Sequence, residues 1–196
     1  MNARLLYFCP MKKFVLLMVA GALTLAVQAQ PKFPPVDKSP LDLCFYPANY
    51  PILKIQDKTT EPLLARVVYS RPQKNGRKVF GELVEYGSVW RLGANEATEL
   101  ELFKDATIGK VKVKKGRYTL YAIPQTDKWT IILNRDTDSW GAFRYDPQKD
   151  AARVDLPVQQ SGEEIESFSM YFEKNNTAVH LVMGWDDELV RLPIQF

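Results

Sequence analysis

One histidine and two cysteines among 196 residues leave little material for the commonest catalytic and metal chemistries. His180 alone cannot supply a histidine cluster for zinc, and it falls in an alternating stretch with Val182 and Gly184 that reads as a strand. Histidine-assisted nucleophilic catalysis would have to use that same residue, and neither Ser70 nor Ser139 has a flanking nucleophile motif. A phosphate-cradling glycine loop and a dinucleotide fingerprint are both missing. Asp136, Asp138 and Asp146 are spaced like a loose calcium loop, but the glycine and closing glutamate of that pattern are lacking. No metal and no cofactor is therefore expected. Runs of like charge never exceed three residues, and there is no internal repeat.

The chain also lacks an apolar run long enough to span a bilayer. Phe14 to Val27 is apolar over about 14 residues, follows Met11-Lys12-Lys13 and ends in Gln28-Ala29, which is the layout of a secretory signal peptide, so residues 1–29 are read as the leader. Met11 reads as the initiator. Export to the periplasm or beyond is expected, with no transmembrane segment after cleavage. Cleavage also changes the charge. Of 26 Lys and Arg against 23 Asp and Glu, the leader carries off Arg4, Lys12 and Lys13 and no acid, leaving 23 against 23. A neutral domain has no net field to draw in nucleic acid, which is excluded as a partner. Cys9 precedes the leader's core, so Cys44 stands alone and no intramolecular disulfide is expected. It lies about 15 residues beyond the cleavage point, too late for a lipoprotein anchor, and reads as a small buried apolar residue.

Gln30 to Pro40 contains Pro31, Pro34, Pro35 and Pro40 without apolar periodicity and reads as an extended tether, with one domain over 41–196. Leu41 to Gln56 is aromatic and broken by Pro47 and Pro51, which favours irregular structure or a short edge strand over a helix. Beyond Pro62 a two-residue period dominates. Leu63–Tyr69, Glu99–Leu102, Trp129–Leu133, Val154–Val158, Phe168–Phe172, Val179–Trp185 and Val190–Ile194 all alternate as strands do. Turn residues fall between many of these runs, at Asn75-Gly76, Gly109, Lys115-Gly116, Thr126-Asp127, Asn175-Asn176 and Asp186-Asp187. The pattern predicts an all-β fold of about ten strands, an antiparallel β-sandwich or closed barrel, with a sandwich of jelly-roll type preferred. One short helix is predicted near Lys78–Tyr86, where Phe80, Leu83 and Val84 fall at i, i+3 and i+4.

Unusual residues concentrate between Tyr69 and Thr98: Tyr69-Ser70-Arg71-Pro72, then Val89-Trp90-Arg91-Leu92-Gly93-Ala94-Asn95-Glu96-Ala97-Thr98. With Gly116 and Tyr118, Trp129 to Ile132 and Trp140-Gly141, these motifs resemble those of the bacterial exported family catalogued as domain of unknown function 2911. The resemblance runs from about Leu63 to Ile194. It implies a secreted, predominantly β domain and brings no activity, so no catalytic residue is carried over.

Arg71, Arg91, Asn95, Glu96 and Thr98 can form one polar cluster, since an arginine fork suits a carboxylate and an amide both donates and accepts. Two readings follow. In one, a buried Arg–Glu pair fixes the long crossover between the Tyr69 and Thr98 strands. In the other, the cluster lines a cleft walled by Trp90, Trp140, Tyr86 and Tyr145 and binds a small polar ligand, a glycan being the natural candidate. The ligand-binding candidates are thus Arg71, Trp90, Arg91, Asn95, Glu96, Thr98 and Trp140. Trp129 and Trp185 share faces with core aliphatics and are assigned to packing, whereas Trp140 sits in a polar, turn-rich setting that suits a surface aromatic.

No motif of an enzyme class is present. The expected role is a small binding or structural module of the cell envelope. Two alternatives stand beside it: a carboxylate-based glycoside hydrolase, pairing Glu96 with Glu82, Glu85 or Glu99, and an envelope scaffold using a sheet edge.

Overall fold

Alternating side chains along the central strands sort cleanly to two faces. In β3 (Glu99–Leu102), Leu100 and Leu102 are buried while Glu99 and Glu101 turn outward, and β2 (Ala65–Ser70) buries Ala65, Val67 and Tyr69 in the same way. The computed structural model describes residues 31–175 and 178–196. The leader expected over residues 1–29 lies outside the described residues. Every described strand belongs to the unit Val36–Phe196.

The other strands are β1 (Leu41–Tyr46), β4 (Ala106–Ile108), β5 (Val111–Val113), β6 (Gly116–Pro124), β7 (Lys128–Asn134), β8 (Asp150–Pro157), β9 (Gln159–Asn175) and β10 (Ala178–Gln195). They form a six-stranded sheet in the order β1-β2-β3-β6-β7-β8 and a four-stranded sheet in the order β5-β4-β10-β9. All pairings are antiparallel, and the sheets stay separate without closing into a barrel. This is the predicted sandwich.

The main core is built on aromatics. Trp90 lies 5.9 Å from Trp185, nearly parallel, and meets Trp129 and Phe168 edge-on at 5.8 and 5.1 Å. Each such ring contributes about 1.5–3 kcal/mol through burial, with edge-to-face contacts adding a little more. A second, smaller core covers the opposite face of the six-stranded sheet. There Ala97, Tyr121 and Ile132 are buried beneath Val89, Ile123, Ala142 and Tyr145. Cys44, expected to be buried, is half-buried against the main core, and burial pushes its thiol up to about 12.

Three local expectations need correction. Lys78–Tyr86 is a set of turns, not a helix. Gly81 at φ +90° breaks the helical path, and Val84 N–H donates to Val79 O at 2.8 Å while Gly81 N–H donates to Val84 O at 2.9 Å. Phe80 and Val84 are buried through that bridge, and Leu83 is left at the surface. The described helix is instead α1 (Tyr50–Ile55), inside the stretch thought too proline-rich for one. Pro51 falls in its first turn, where a missing N–H removes no intrahelical bond. The edge strand expected before it is β1. Finally, Asp186-Asp187 does not separate two strands: β10 runs through, with bulges on either side of Asp186.

Candidate functional site

The segment joining β2 to β3 decides where the polar residues go. Ser70 Oγ, at the end of β2, accepts the Ala94 N–H at 2.6 Å and donates to the Ala94 carbonyl, pinning the crossover from within. Trp90 exchanges backbone hydrogen bonds with Ala122 of β6 at 2.7 and 2.9 Å, and its indole N–H donates to Gly93 O at 3.1 Å. The chain then turns through Leu92, Gly93 and Asn95, all at positive φ. Thr98 is fully buried and its hydroxyl donates to Leu92 O.

That turn presents Asn95 and Glu96 to the loop after β7. Glu96 forms an isolated bridge with Trp140, Ala97 N–H donates to Ser139 O at 2.9 Å, and Gly141 N–H donates to Asn95 O at 2.9 Å. Trp140 is 62 % exposed and stacks on Phe143, itself 80 % exposed, with centroids 6.0 Å apart and planes at 17°. Gly141 at φ +71° makes the stacking possible, because a Cβ there would lie 2.6 Å from the Phe143 ring.

Two adjoining clefts open beside this pair. One, of about 520 Å³, is lined by Asp37, Ser39, Pro40, Leu41, Asn95, Glu96 and Trp140. The other, of about 300 Å³, lies between Leu41, Val68 and Ala97 and the acidic residues Glu96, Glu99 and Asp138. Asn95 Nδ2 donates to Asp37 Oδ1 at 3.0 Å. Arg117 donates to Glu99 and Asp138 at 2.6 Å each and holds the Asp138 carboxyl below its usual range. Glu96 is exposed, and its carboxylate has no hydrogen bond or ion pair among the described residues.

Asn95, Glu96 and Trp140 are thus brought together, while the other candidates are directed elsewhere. Trp90 is 8 % exposed and belongs to the core, so it walls no cleft. The Arg71 guanidinium donates to Phe168 O, Ser169 Oγ and Asp42 Oδ2, the last at 3.2 Å. Arg91 has a buried Nε without a partner among the described residues, and burial lowers its pKa. The single polar cluster therefore does not form, and neither does the buried Arg–Glu pair; small hydroxyls bonded to backbone hold the crossover instead. Tyr86 donates to Glu188 at 3.4 Å and Tyr145 to Asp150 at 2.8 Å, so neither walls this cleft.

Sequence reading missed Asp37, Leu41, Asp138 and Phe143. Asp37 lies in the stretch read as a tether, yet Asp37-Lys38-Ser39 closes a turn in which Ser39 N–H donates to Asp37 Oδ1 at 2.7 Å. Phe143 was detectable as a second aromatic three residues from Trp140 across a glycine. It also missed Glu188, buried on β10, which accepts from Trp129 Nε1 at 3.1 Å. Among the described residues no group of three or more His, Cys, Asp or Glu is placed to hold a metal ion, and no helix is long and apolar enough to cross a membrane.

Comparison with known proteins agrees with the motifs. A family model described as "Protein of unknown function (DUF2911)" matches residues 53–194. No curated protein and no solved structure matches significantly. Covering the strands from β2 to β10 and the crossover that presents Asn95 and Glu96, that match establishes that the chain belongs to the DUF2911 family.

Proposed function

We propose that this domain is an exported binding module of the cell envelope that holds a polyhydroxylated ligand, a glycan, at the clefts beside Trp140. One observation carries the reading: Trp140 and Phe143 are stacked and largely exposed on a loop bridged to Glu96, beside Asn95. Large aromatics left in water on an ordered loop cost the fold apolar exposure and return nothing unless covered. Aromatic faces suit the apolar face of a pyranose, while amide and carboxylate groups take its hydroxyls. Export rests on the leader pattern of residues 11–29.

Hydrolysis is less well supported. A glycosidase needs one carboxyl kept protonated opposite an ionised one, whereas Arg117 bonds both Glu99 and Asp138 and holds the Asp138 carboxyl below its usual range. A scaffold role for the Arg91, Asn95 and Glu96 group would need those side chains buried and bonded to one another, and they are not.

A glycan array probed with the purified protein and its Trp140→Ala variant tests the reading. Binding to at least one glycan class is expected, lost in the variant. No binding to any glycan, or equal binding by the variant, would refute it.

A further inference from the structure

We infer that the occupant of the Trp140 clefts carries a protonated amine, as in a deacetylated amino sugar, an inference that rests on the glycan-binding reading above. The aromatic pair and the clefts define the place; the charge of the groups around them selects the chemistry. A neutral sugar hydroxyl is both donor and acceptor and is held best by a mixed lining. Here the cationic donor is already engaged. Arg117 is divided between Glu99 and Asp138, and Asn95 gives one of its two Nδ2 hydrogens to Asp37. The charged groups left facing solvent beside the exposed ring of Trp140 are acceptors: the Glu96 carboxylate and the second oxygen of Asp37.

Charge points the same way. Asp37, Glu96, Glu99 and Asp138 line the two clefts, and Arg117 bridges only the last two, so Asp37 and Glu96 face Trp140 without a cation among the described residues. An ammonium group offers only donors, and a tryptophan face attracts it in addition. Arg144 is the cation nearest to a conflict. It lines a separate cleft with Asp136, Trp140 and Phe143, so it lies on the same loop but not among the groups around Asp37 and Glu96. An anionic sugar would meet the uncompensated carboxylates and is excluded.

Calorimetric titration of the full protein with a glucosamine hexamer and with its fully N-acetylated counterpart tests this. The glucosamine hexamer should bind at least about tenfold more tightly, equivalent to one favourable charge contact. Trp140→Ala should abolish that binding, Glu96→Gln should weaken it about tenfold, and added salt should weaken it further. Equal affinity for the acetylated hexamer, still dependent on Trp140, would overturn the amine preference and leave the glycan site standing. Glucosamine binding that survives Trp140→Ala would overturn the site itself, and failure of both hexamers to bind would overturn the inference.

Discussion

Gly93 has no room for a methyl group. Its φ is +149°, and a Cβ would sit 2.7 Å from Ser70 Oγ and 3.3 Å from the Ser70 carbonyl oxygen. The close approach is what lets Ser70 Oγ bond Ala94 and hold the turn that carries Asn95 and Glu96. Gly93→Ala is expected to lower stability by about 2–3 kcal/mol, combining backbone strain with displacement of the serine. Urea unfolding measures it, and a loss below about 0.5 kcal/mol would show that the crossover tolerates a side chain there. The same residues explain why the polar cluster was misjudged. Spacing places Arg71, Arg91, Asn95, Glu96 and Thr98 within one connection, but positive φ at Leu92, Gly93 and Asn95 rotates successive side chains to different surroundings. Backbone dihedrals of that kind are not written in residue spacing.

Within β10, an internal and largely buried strand, the bulges around Asp186 make a polar anchor. Asp186 accepts from Lys74 Nζ at 2.6 Å and from Val79 N–H at 3.3 Å, while Glu188 accepts from Trp129 Nε1 at 3.1 Å and from Tyr86 OH at 3.4 Å. Burial holds the Glu188 carboxyl above its ordinary value near 4.5; nearby Asp187 and Asp186 push it further, against the two hydrogen bonds. The folded state thus binds this proton more tightly than the unfolded chain. Glu188 therefore contributes most below its ordinary value, and that contribution is lost as pH rises through the raised one. Glu188→Gln keeps an acceptor for Trp129 and can donate to Tyr86, without the charge. Its stability relative to the native protein is expected to rise steadily from about pH 4 to about pH 7 in urea titrations. A difference independent of pH would mean that Glu188 titrates no differently on unfolding. At this scale strands are the legible elements, because a period of two is a statement about burial that local sequence makes directly. The turn over Lys78–Tyr86 and the short helix α1 were not legible. Both depend on what lies beneath them: the core that takes Phe80 and Val84 in the first case, and the placing of Pro51 in a first turn in the second.

Across the whole molecule, the six-stranded sheet is covered on both faces, and the loop that covers the outer one also carries the exposed aromatic pair. Packing and recognition are therefore separable by mutation. Trp140→Ala and Phe143→Ala are expected to change stability by no more than about 0.5 kcal/mol, whereas Tyr121→Ala, from the small core beneath, is expected to cost about 3–5 kcal/mol. Thermal unfolding of the three variants compares them, and a large loss from Trp140→Ala would make that ring a packing residue. Alternation and turn chemistry alone determined the class of this fold, an antiparallel sandwich, and the motifs from Tyr69 to Thr98 determined the family. Those properties are local, repeated every second residue or carried by a contiguous string. Which tryptophan is core and which is surface, and which of the polar candidates meet, only the tertiary structure decided. Trp90 and Trp140 differ by the sheet face and loop that receive them, and Asn95, Glu96 and Trp140 become neighbours only through contacts across more than 40 residues of chain.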